Sequence, residues 1–299
     1  MTMEQVANPL LASSVGRSNL LTNGGLEWWQ RGTASVAITS GSIYLADRWY
    51  AQILGSGAGT YAQDTTNVDV GSNAAAAINV TATSTAPLTN GVLFAQKLED
   101  VKQLRGKPLS VKYRIKASVV GSTVQPYYSD GANNTPVGSP VSIGTTYQDL
   151  AYTFTTGATT GGLYTFLCFT SVATFYIDNV MMVVGTQACD YVPMHPADDY
   201  ARCLRYYELL GPVPNYPQIK GCATGANVNI GANLAFAAKK AVTPTNTIAG
   251  TFTFVNTNAP ISMYSGGVHG VFVQAVSAAA GEATYYSNGS GYFIAEANP

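Results

Sequence analysis

All three tryptophans of the 299-residue chain, Trp28, Trp29 and Trp49, fall within one stretch near its beginning. A tryptophan buries a very large apolar area, so three of them this close together nucleate a hydrophobic core. An Asn-Gly-Gly turn at residues 23–25 precedes them, and glycine tolerates the positive φ that we expect this turn to need. The segment 19–49 is therefore predicted to open a β domain.

Short runs of β-branched and aromatic residues, separated by turn residues, follow this opening. Such spacing predicts a sandwich or jelly roll and not a parallel sheet. The predicted strands are 51–54, 60–63, 74–83, 92–96, 109–117, 124–128, 147–155, 162–169 and 174–184. Between them, residues 98–104 carry apolar side chains three apart, which predicts a helical turn.

The strand predicted at 109–117 alternates strictly between apolar and polar residues. One face is apolar, and the other carries Lys112, Arg114 and Lys116, so we expect a half-solvated strand. These three basic residues have two interpretations, an anion-binding groove or an ordinary solvated surface. At a spacing of two along one strand face, we favour the solvated surface.

Residues 196–210 are predicted to form the one helix of the chain, followed by a stiff linker with two prolines at 213–217. Two aspartates lie near the positive end of this helix, and Gly211 is expected to end it. The apolar stripe consists of Tyr200, Cys203, Leu204 and Tyr207. That stripe either covers an edge of the preceding domain or docks a partner helix.

Three motifs resemble a known family. The run NLLTNGGLEWWQRG at 19–32, followed by ADRW at 46–49, resembles the opening of phage virion appendage proteins that carry a carbohydrate-binding-module-like jelly roll. YIDNV at 176–180 resembles the closing strand of such domains, and CLRYY at 203–207 the short helix that typically follows. Together with the strand pattern, this resemblance implies an all-β chain: a jelly-roll β-sandwich, a short helix and a second, smaller β domain.

The predicted organisation has four parts. Residues 1–18 lack a hydrophobic period and are expected to form an N-terminal attachment arm that becomes ordered against a partner. Residues 19–195 form the jelly roll, 196–217 the helix and proline-rich linker, and 218–299 the C-terminal β domain.

Charge is scarce in this chain. Charged residues make up 10% of it, against about 25% in ordinary globular proteins. A surface so weakly charged is typical of a protein covered by neighbours, so we expect a homo-oligomer, a trimer, packed against other virion structural proteins. The net charge of −1 and the absence of a basic cluster argue against a nucleic-acid partner.

Targeting patterns are also missing. No uncharged apolar run reaches the roughly 18 residues that a membrane-spanning helix needs. The N-terminus lacks a basic region followed by an apolar block, so we expect neither signal-peptide export nor membrane insertion. The expected location is the virion, after synthesis in the host cytoplasm.

No motif for catalysis is present. The sequence has no G-x-S-x-G elbow and no phosphate-binding glycine loop, and His195 and His269 are interpreted as turn residues. The cysteines, which are not in C-x-x-C spacing, are interpreted as small buried residues: Cys168, Cys189, Cys203 and Cys222. We therefore expect a protein that is not an enzyme.

The resemblance implies one metal site. In jelly rolls of this type, the early N-G-x-x-E strand and the closing I-D-x-V strand lie close together and often share a structural calcium. Glu27 and Asp178 are the matching residues, and calcium is the only cofactor expected. The alternative, which we favour, is that Glu27 has a capping role or pairs with Arg31 or Arg48.

The resemblance implies a structural component of a phage virion, a tail fibre or other appendage, attached through its N-terminus and contacting host-surface polysaccharide. One alternative is a polysaccharide-binding or depolymerising enzyme component, and another is a capsid or neck decoration without a ligand. Aromatic faces for sugar stacking are offered by Tyr127, Tyr128, Tyr285 and Tyr286. Most aromatics in sheets, however, form core contacts or cross-strand pairs.

Overall fold

The computed structural model describes residues 18–99, 101–157, 162–211, 218–287 and 290–298. Strands dominate it, which confirms the predicted all-β fold class. The chain divides into two compact units. The first contains the described residues up to Glu27, Ala34–Ile43 and Trp49–Met194, and the second contains Trp28–Thr33, Tyr44–Arg48 and the chain from His195 onward.

The domain boundaries predicted from the sequence stay a prediction. Most of the arm, residues 1–17, and the linker at 212–217 lie outside the described residues.

The described residues between 36 and 184 form thirteen strands. In chain order they are β1 (Val36–Ala37), β2 (Ile43–Tyr44), β3 (Trp49–Leu54), β4 (Ala58–Asp64), β5 (Ala75–Ala82), β6 (Gly91–Leu98), β7 (Pro108–Ala117), β8 (Ser122–Ser129), β9 (Asn134–Pro136), β10 (Val141–Ile143), β11 (Gln148–Thr155), β12 (Leu163–Phe169) and β13 (Ala173–Val184). They form a six-stranded sheet in the order β1-β4-β5-β13-β7-β11 and a seven-stranded sheet in the order β10-β8-β12-β6-β3-β2, with β9 paired to β8.

The strand order is that of a jelly roll. The chain passes repeatedly from one sheet to the other, and its last two strands return to the middle of the sheets. β12 pairs with β6 and β8, and β13 pairs with β5 and β7, all antiparallel. Such returning connections define a double-sheet jelly roll. All nine strands predicted between 51 and 184 are present, and the predicted helical turn is the 3-10 helix Lys102–Leu104.

Trp49 lies at the centre of the sandwich core. Its side chain has no solvent exposure, and its ring stacks on Phe94 with centroids 4.9 Å apart and planes 4° apart. The indole Nε1–H donates to the carbonyl oxygen of Asn23 at 2.9 Å. The polar atom of this large ring is therefore satisfied inside the core, as buried tryptophans require.

The chain before the tryptophans is bonded along β13. The Asn19 amide donates to the Val180 carbonyl at 2.8 Å, and its oxygen accepts from the Met182 N–H at 2.9 Å. Leu20 N–H donates to the Met182 carbonyl, and Val180 N–H donates to the Gly24 carbonyl. The start of the jelly roll is thus fixed to its final strand.

The role predicted for the Asn-Gly-Gly turn is wrong. The positive φ angles fall on Asn23 and Leu26, at 55° and 54°, and not on the two glycines. A Cβ on Gly24 would lie 2.4 Å from the Val180 carbonyl oxygen, and one on Gly25 would lie 2.7 Å from the Tyr191 hydroxyl. Glycine is needed here because neighbouring chain segments approach too closely for a side chain.

The second unit contains one α-helix and nine strands among the described residues. They are α1 (Pro196–Leu204), β14 (Tyr207–Leu210), β15 (Gln218–Ala223), β16 (Asn229–Ala235), β17 (Thr245–Ala249), β18 (Phe252–Val255), β19 (Thr257–Ser265), β20 (Gly270–Ser277), β21 (Gly281–Ser287) and β22 (Tyr292–Glu296). Three three-stranded sheets result, in the orders β14-β22-β17, β15-β21-β18 and β16-β20-β19. Their buried apolar residues form one core. The predicted second β domain is confirmed.

The helix is shorter than predicted. It begins with His195, whose Nδ1 accepts from the Ala197 N–H at 3.3 Å, and ends at Leu204. Residues 207–210, predicted as its last turn, form β14 and pair with β22. The pairing strand lies far along the chain, so its effect is absent from the local helical pattern.

Two parts of the tryptophan-rich segment belong to the second unit. Arg31 forms ion pairs with Asp47 at 3.4 Å and Glu296 at 3.2 Å, and its guanidinium lies 3.8 Å from the ring centre of Tyr207. Asp47 is buried, and burial raises the pKa of its carboxyl, although Gln30 and Arg31 oppose that shift. Arg31 therefore pairs with Asp47 and Glu296, and not with Glu27 as the alternative interpretation proposed.

Candidate functional site

The outer face of β7 carries several ion pairs. Leu109, Val111, Tyr113, Ile115 and Ala117 are buried in the sandwich, which confirms the predicted alternation. The opposite face presents the basic residues toward β11 and β13, whose Asp149 and Asp178 lie directly across from Arg114. The interpretation of an ordinary solvated surface is therefore wrong for two of the three basic residues, Lys112 and Arg114, because carboxylates engage both.

Arg114 binds two aspartates. Its Nε and Nη2 donate to the two oxygens of Asp69 at 2.6 and 3.0 Å, and its Nη1 donates to Asp149 Oδ1 at 2.9 Å. The pair with Asp69 is bidentate, which is the strongest geometry that a guanidinium and a carboxylate form. Lys112 lies two residues away on the same face, and its ammonium contacts Asp149 and Asp190.

These side chains line an open depression of about 330 Å³, which we call the charged pocket. Its lining residues are Asp69, Lys112, Arg114, Asp149, Asn179, Asp190 and Tyr191. The Asp190 side chain is 89% exposed and that of Asp149 47%, whereas that of Asp69 is only 12% exposed. Two carboxylates at the rim are thus open to a ligand, while the third is held in the wall.

Asp69 and Asp149, two carboxylates of the charged pocket, are ionised at neutral pH. Hydrogen bonds from Arg114 hold the pKa of Asp69 below its usual value. Partial burial opposes the same shift at Asp149, but hydrogen bonds from Lys112 and Arg114 still lower its pKa. Burial by itself would lower the pKa of Lys112, but its hydrogen bonds to Asp149 and Asp190 raise that pKa above its usual value. The pocket therefore presents fixed acceptors and donors.

Asp178 lies next to the pocket and is fully buried. Its Oδ1 accepts from the Ser72 hydroxyl at 3.0 Å and the Asn179 N–H at 2.7 Å, and its Oδ2 accepts from the Asp69 N–H at 3.1 Å. These bonds fasten the loop between β4 and β5 against β13. Since that loop supplies Asp69, Asp178 positions one wall of the charged pocket.

Burial raises the pKa of Asp178 to about 6 from the ordinary 3.8, although its hydrogen bonds oppose the rise. Between these two values the folded state holds a proton that the unfolded state has lost, so stability falls as pH rises through this window. In Asp178→Asn, we expect this decline between pH 4 and 6 to disappear.

Chemical denaturation of the wild type and Asp178→Asn at half-unit pH steps checks this expectation. Asp130→Asn is the matched control, because backbone hydrogen bonds lower the pKa of Asp130 and place its effect below pH 4. Equal slopes for the wild type and Asp178→Asn in the window would contradict the expectation.

The two residues predicted to share calcium have different surroundings. Glu27 is exposed, with its N–H donating to Asn23 Oδ1 at 2.8 Å. The hydrogen-bond partners of Asp178 are the N–H and O–H donors described above, which a calcium ion would have to displace. No group of three or more His, Cys, Asp or Glu able to hold a metal exists among the described residues. The surroundings of these two residues do not fit a calcium ligand set. Calcium at Glu27 and Asp178 stays a prediction, and measuring the metal content of the purified protein would test it.

The other residues singled out in the sequence do not line the pocket. Tyr127 stacks on Phe166, its directly opposed neighbour on β12, and Tyr128 stacks on Phe154, as expected for cross-strand and core aromatics. Tyr285 is buried, whereas Tyr286 is 37% exposed. Both histidines have turn or cap roles, His195 at α1 and His269 through its carbonyl, which accepts from the Phe236 N–H.

The cysteines only partly match their interpretation as buried residues. Cys168 and Cys203 are buried, Cys189 is intermediate, and Cys222 is exposed on β15, an edge strand of its sheet. Burial raises the pKa of the Cys168 thiol. Within the described part of the chain, no helix has the length and hydropathy to cross a bilayer.

Asp69, Asp149 and Asp190 were missed in the sequence. Asp149 had a usable signal, since it lies on a predicted strand with alternating polarity that pairs with β7. Asp69 and Asp190 lie in loops, and nothing local marks which strand face they reach. Only the closed sandwich brings them to Arg114 and Lys112.

The sequence matches no protein-family model and no curated protein. Solved structures do resemble it. A family 4 carbohydrate-binding module aligns with 55% of this chain and 98% of its own length, at 16% identity and a TM-score of 0.39. The CBM22-1 xylan-binding domain from Paenibacillus barcinonensis Xyn10C aligns with 58% of this chain and 98% of its own, at 10% identity and a TM-score of 0.38.

This protein has a jelly-roll fold. The enzymatically active domain of tailspike protein 4 from bacteriophage CBA120 also aligns, over 56% of this chain but only 21% of its own, at 12% identity and a TM-score of 0.36. At these scores the likeness concerns the fold and decides nothing about ligands or origin.

Proposed function

We propose that this protein is a non-enzymatic structural component of a phage virion appendage whose jelly roll binds host-surface polysaccharide through the charged pocket. The pocket is the observation that carries the glycan-binding part. The chain has 31 charged residues in 299, yet five of them converge on this one depression. The virion part rests on the sequence motifs at 19–32, 46–49 and 176–180.

The chemistry of the pocket suits sugar hydroxyls. Each hydroxyl both donates and accepts a hydrogen bond, so neighbouring hydroxyls are held by a carboxylate beside a cation. Asp149 and Asp190 supply acceptors at the rim, and Lys112 supplies a donor between them. Tyr191 adds a ring and Asn179 an amide to the lining. Such convergent polar groups in a concave site are typical of small-ligand recognition.

The protonation states of the carboxyl groups in and next to the charged pocket favour binding without hydrolysis. Glycosidases need one carboxyl with a raised pKa as general acid and a second one ionised. In the charged pocket the pKa values of Asp69 and Asp149 are both lowered. Asp178 has the raised pKa, but it is buried and bonded to the loop that it anchors. None of these three carboxyls is therefore both accessible and raised in pKa, as the general acid of the depolymerising alternative would have to be.

Several copies in one appendage would compensate for a weak single site. Tethered sites rebind at a high effective concentration, so a homotrimer gains avidity without new contacts. The low charge of the chain is consistent with surfaces covered by sister subunits or other virion proteins. The molar mass in solution tests the trimer independently of glycan binding.

Lys112→Met is expected to weaken polysaccharide binding about tenfold, because it removes the central donor of the pocket and keeps the aliphatic stem. The measurement is affinity electrophoresis of the full chain in gels containing host-surface polysaccharide. Lys116→Met is the matched control. It lies on the same face of β7 but contacts Asn67 and does not line the pocket, so its affinity should equal that of the wild type.

Two outcomes would overturn the proposal. If the wild type binds no surface polysaccharide, the ligand-free decoration alternative is correct. If the wild type releases reducing ends from the polysaccharide, the depolymerising alternative is correct. A third outcome would overturn only the location: if Lys112→Met and Lys116→Met weaken binding equally, the glycan does not bind in the charged pocket.

A further inference from the structure

The sheet β16-β20-β19 of the second unit has two unlike faces. Val271, Val273 and Ala275 of its central strand are buried in the core of that unit. The alternate residues face outward in rows of three, as the strand register shows. The rows are Asn233–Phe272–Tyr264, Gly231–Gln274–Ser262 and Asn229–Val276–Asn258. We call this outward face the neutral platform, because none of these residues carries a charge.

The first of these rows contains the two aromatic rings of the neutral platform. Tyr264 is 52% exposed, and its ring centre lies 6.5 Å from that of Phe272, with the planes tilted by 41°. A Cβ on Gly231 would come within 2.7 Å of Phe272 Cζ. The Phe272 ring therefore extends over Gly231, and only glycine leaves it the room to do so.

Amide and hydroxyl side chains lie next to these rings. Gln274 Nε2 donates to the Tyr264 hydroxyl at 3.2 Å, which fixes the orientation of the ring. Asn233 is exposed and directly opposite Phe272, and Ser262 is directly opposite Gln274. Neighbouring strands are about 4.8 Å apart and alternate residues along a strand about 7 Å apart. The rows that contain Phe272 and Gln274 therefore cover an area that one or two sugar rings would fill.

We infer that the neutral platform is a second carbohydrate site, which takes uncharged sugar rings. Aromatic faces bury the apolar C–H side of a pyranose, and amides both donate to and accept from its hydroxyls. The absence of charge separates this site from the charged pocket, since an acidic or basic ligand would leave its own charge unpaired here. The inference extends the proposed glycan binding to a second, chemically different surface.

A simpler role for the rings, as a cross-strand pair covering a glycine, accounts for Phe272 alone. It needs neither the exposure of Tyr264 nor the exposed amide opposite Phe272. A second copy of this chain is a different occupant, and the experiment separates it from a sugar.

The test uses the full chain and neutral hexasaccharides of glucose, galactose, mannose and xylose, with binding measured by calorimetry and by saturation-transfer NMR. Tyr264→Ala is expected to weaken the best of these ligands about tenfold. Tyr286→Ala is the matched control, because Tyr286 is a 37% exposed tyrosine of the same unit outside the platform. It should bind as the wild type does.

Lys112→Met distinguishes this inference from the charged pocket. Binding of a neutral hexasaccharide that survives Lys112→Met but falls in Tyr264→Ala supports the neutral platform, whatever the fate of the pocket. Loss in Lys112→Met alone overturns the platform and supports the pocket. The inference is also overturned if no hexasaccharide binds, if Tyr264→Ala and Tyr286→Ala bind equally, or if Tyr264→Ala lowers the molar mass in solution.

Discussion

Trp49→Ala is expected to destabilise the jelly roll by about 3–5 kcal/mol, the cost of removing a large aromatic side chain from a packed core. Trp49 has no solvent exposure and stacks on Phe94. Its loss leaves a cavity between the two sheets and removes the N–H that bonds the Asn23 carbonyl. Chemical denaturation followed by far-ultraviolet circular dichroism measures the effect.

Trp49→Phe separates the two contributions. Phenylalanine keeps a ring against Phe94 but cannot donate to the Asn23 carbonyl, which still accepts from the Leu26 N–H, so we expect a smaller loss, about 1–2 kcal/mol for the lost hydrogen bond and the smaller ring. If Trp49→Ala unfolds at the same denaturant concentration as the wild type, this tryptophan is not the centre of the core.

The buried ion pair of the second unit is expected to have an effect of similar size. The Lys240 side chain is fully buried, and its ammonium donates to Glu208 Oε2 at 2.5 Å and to the carbonyl of Leu204, the last residue of α1. Burial lowers the pKa of Lys240, and Glu208 opposes that shift. Lys240→Met leaves a buried carboxylate without its cation, which costs about 3–5 kcal/mol.

The double variant Lys240→Met/Glu208→Gln is the control for this prediction. It removes both charges, and the glutamine oxygen can still accept from the Ala237 N–H, which bonds Glu208 Oε1 at 2.9 Å in the wild type. Replacing both members of a buried pair is far less costly than breaking it, so the double variant should recover most of the lost stability. Additive losses in the two single variants and the double variant would show that the pair is not coupled.

Local patterns predicted the strands well. The alternation in 109–117 placed Leu109, Val111 and Tyr113 in the core correctly, because the two faces of a strand are set by a period of two. Turn residues separated most of the nine jelly-roll strands for the same local reason. The fold class followed, since many short strands with frequent turns close as a sandwich.

Local patterns failed where a distant segment competes. Residues 207–210 fit a helix in isolation, but they form β14 because β22 offers backbone partners. The Asn-Gly-Gly turn was predicted to need glycine for a positive φ. Gly24 is needed instead because the carbonyl of Val180, a residue far along the chain, approaches too closely for a side chain. Neither neighbour can be identified from residues near the position concerned.

The sequence alone determined most of the strands, which of their faces are buried and where charge is scarce, because these depend on the order of neighbouring side chains. Only the tertiary structure decided that Asp69 and Asp190 meet Arg114 and Lys112, and that Tyr264 and Phe272 share a face with Asn233. Both sites are assembled from separate strands and loops. Their chemistry depends on strand order and register, which are set by the packing of the whole domain and not by any one segment.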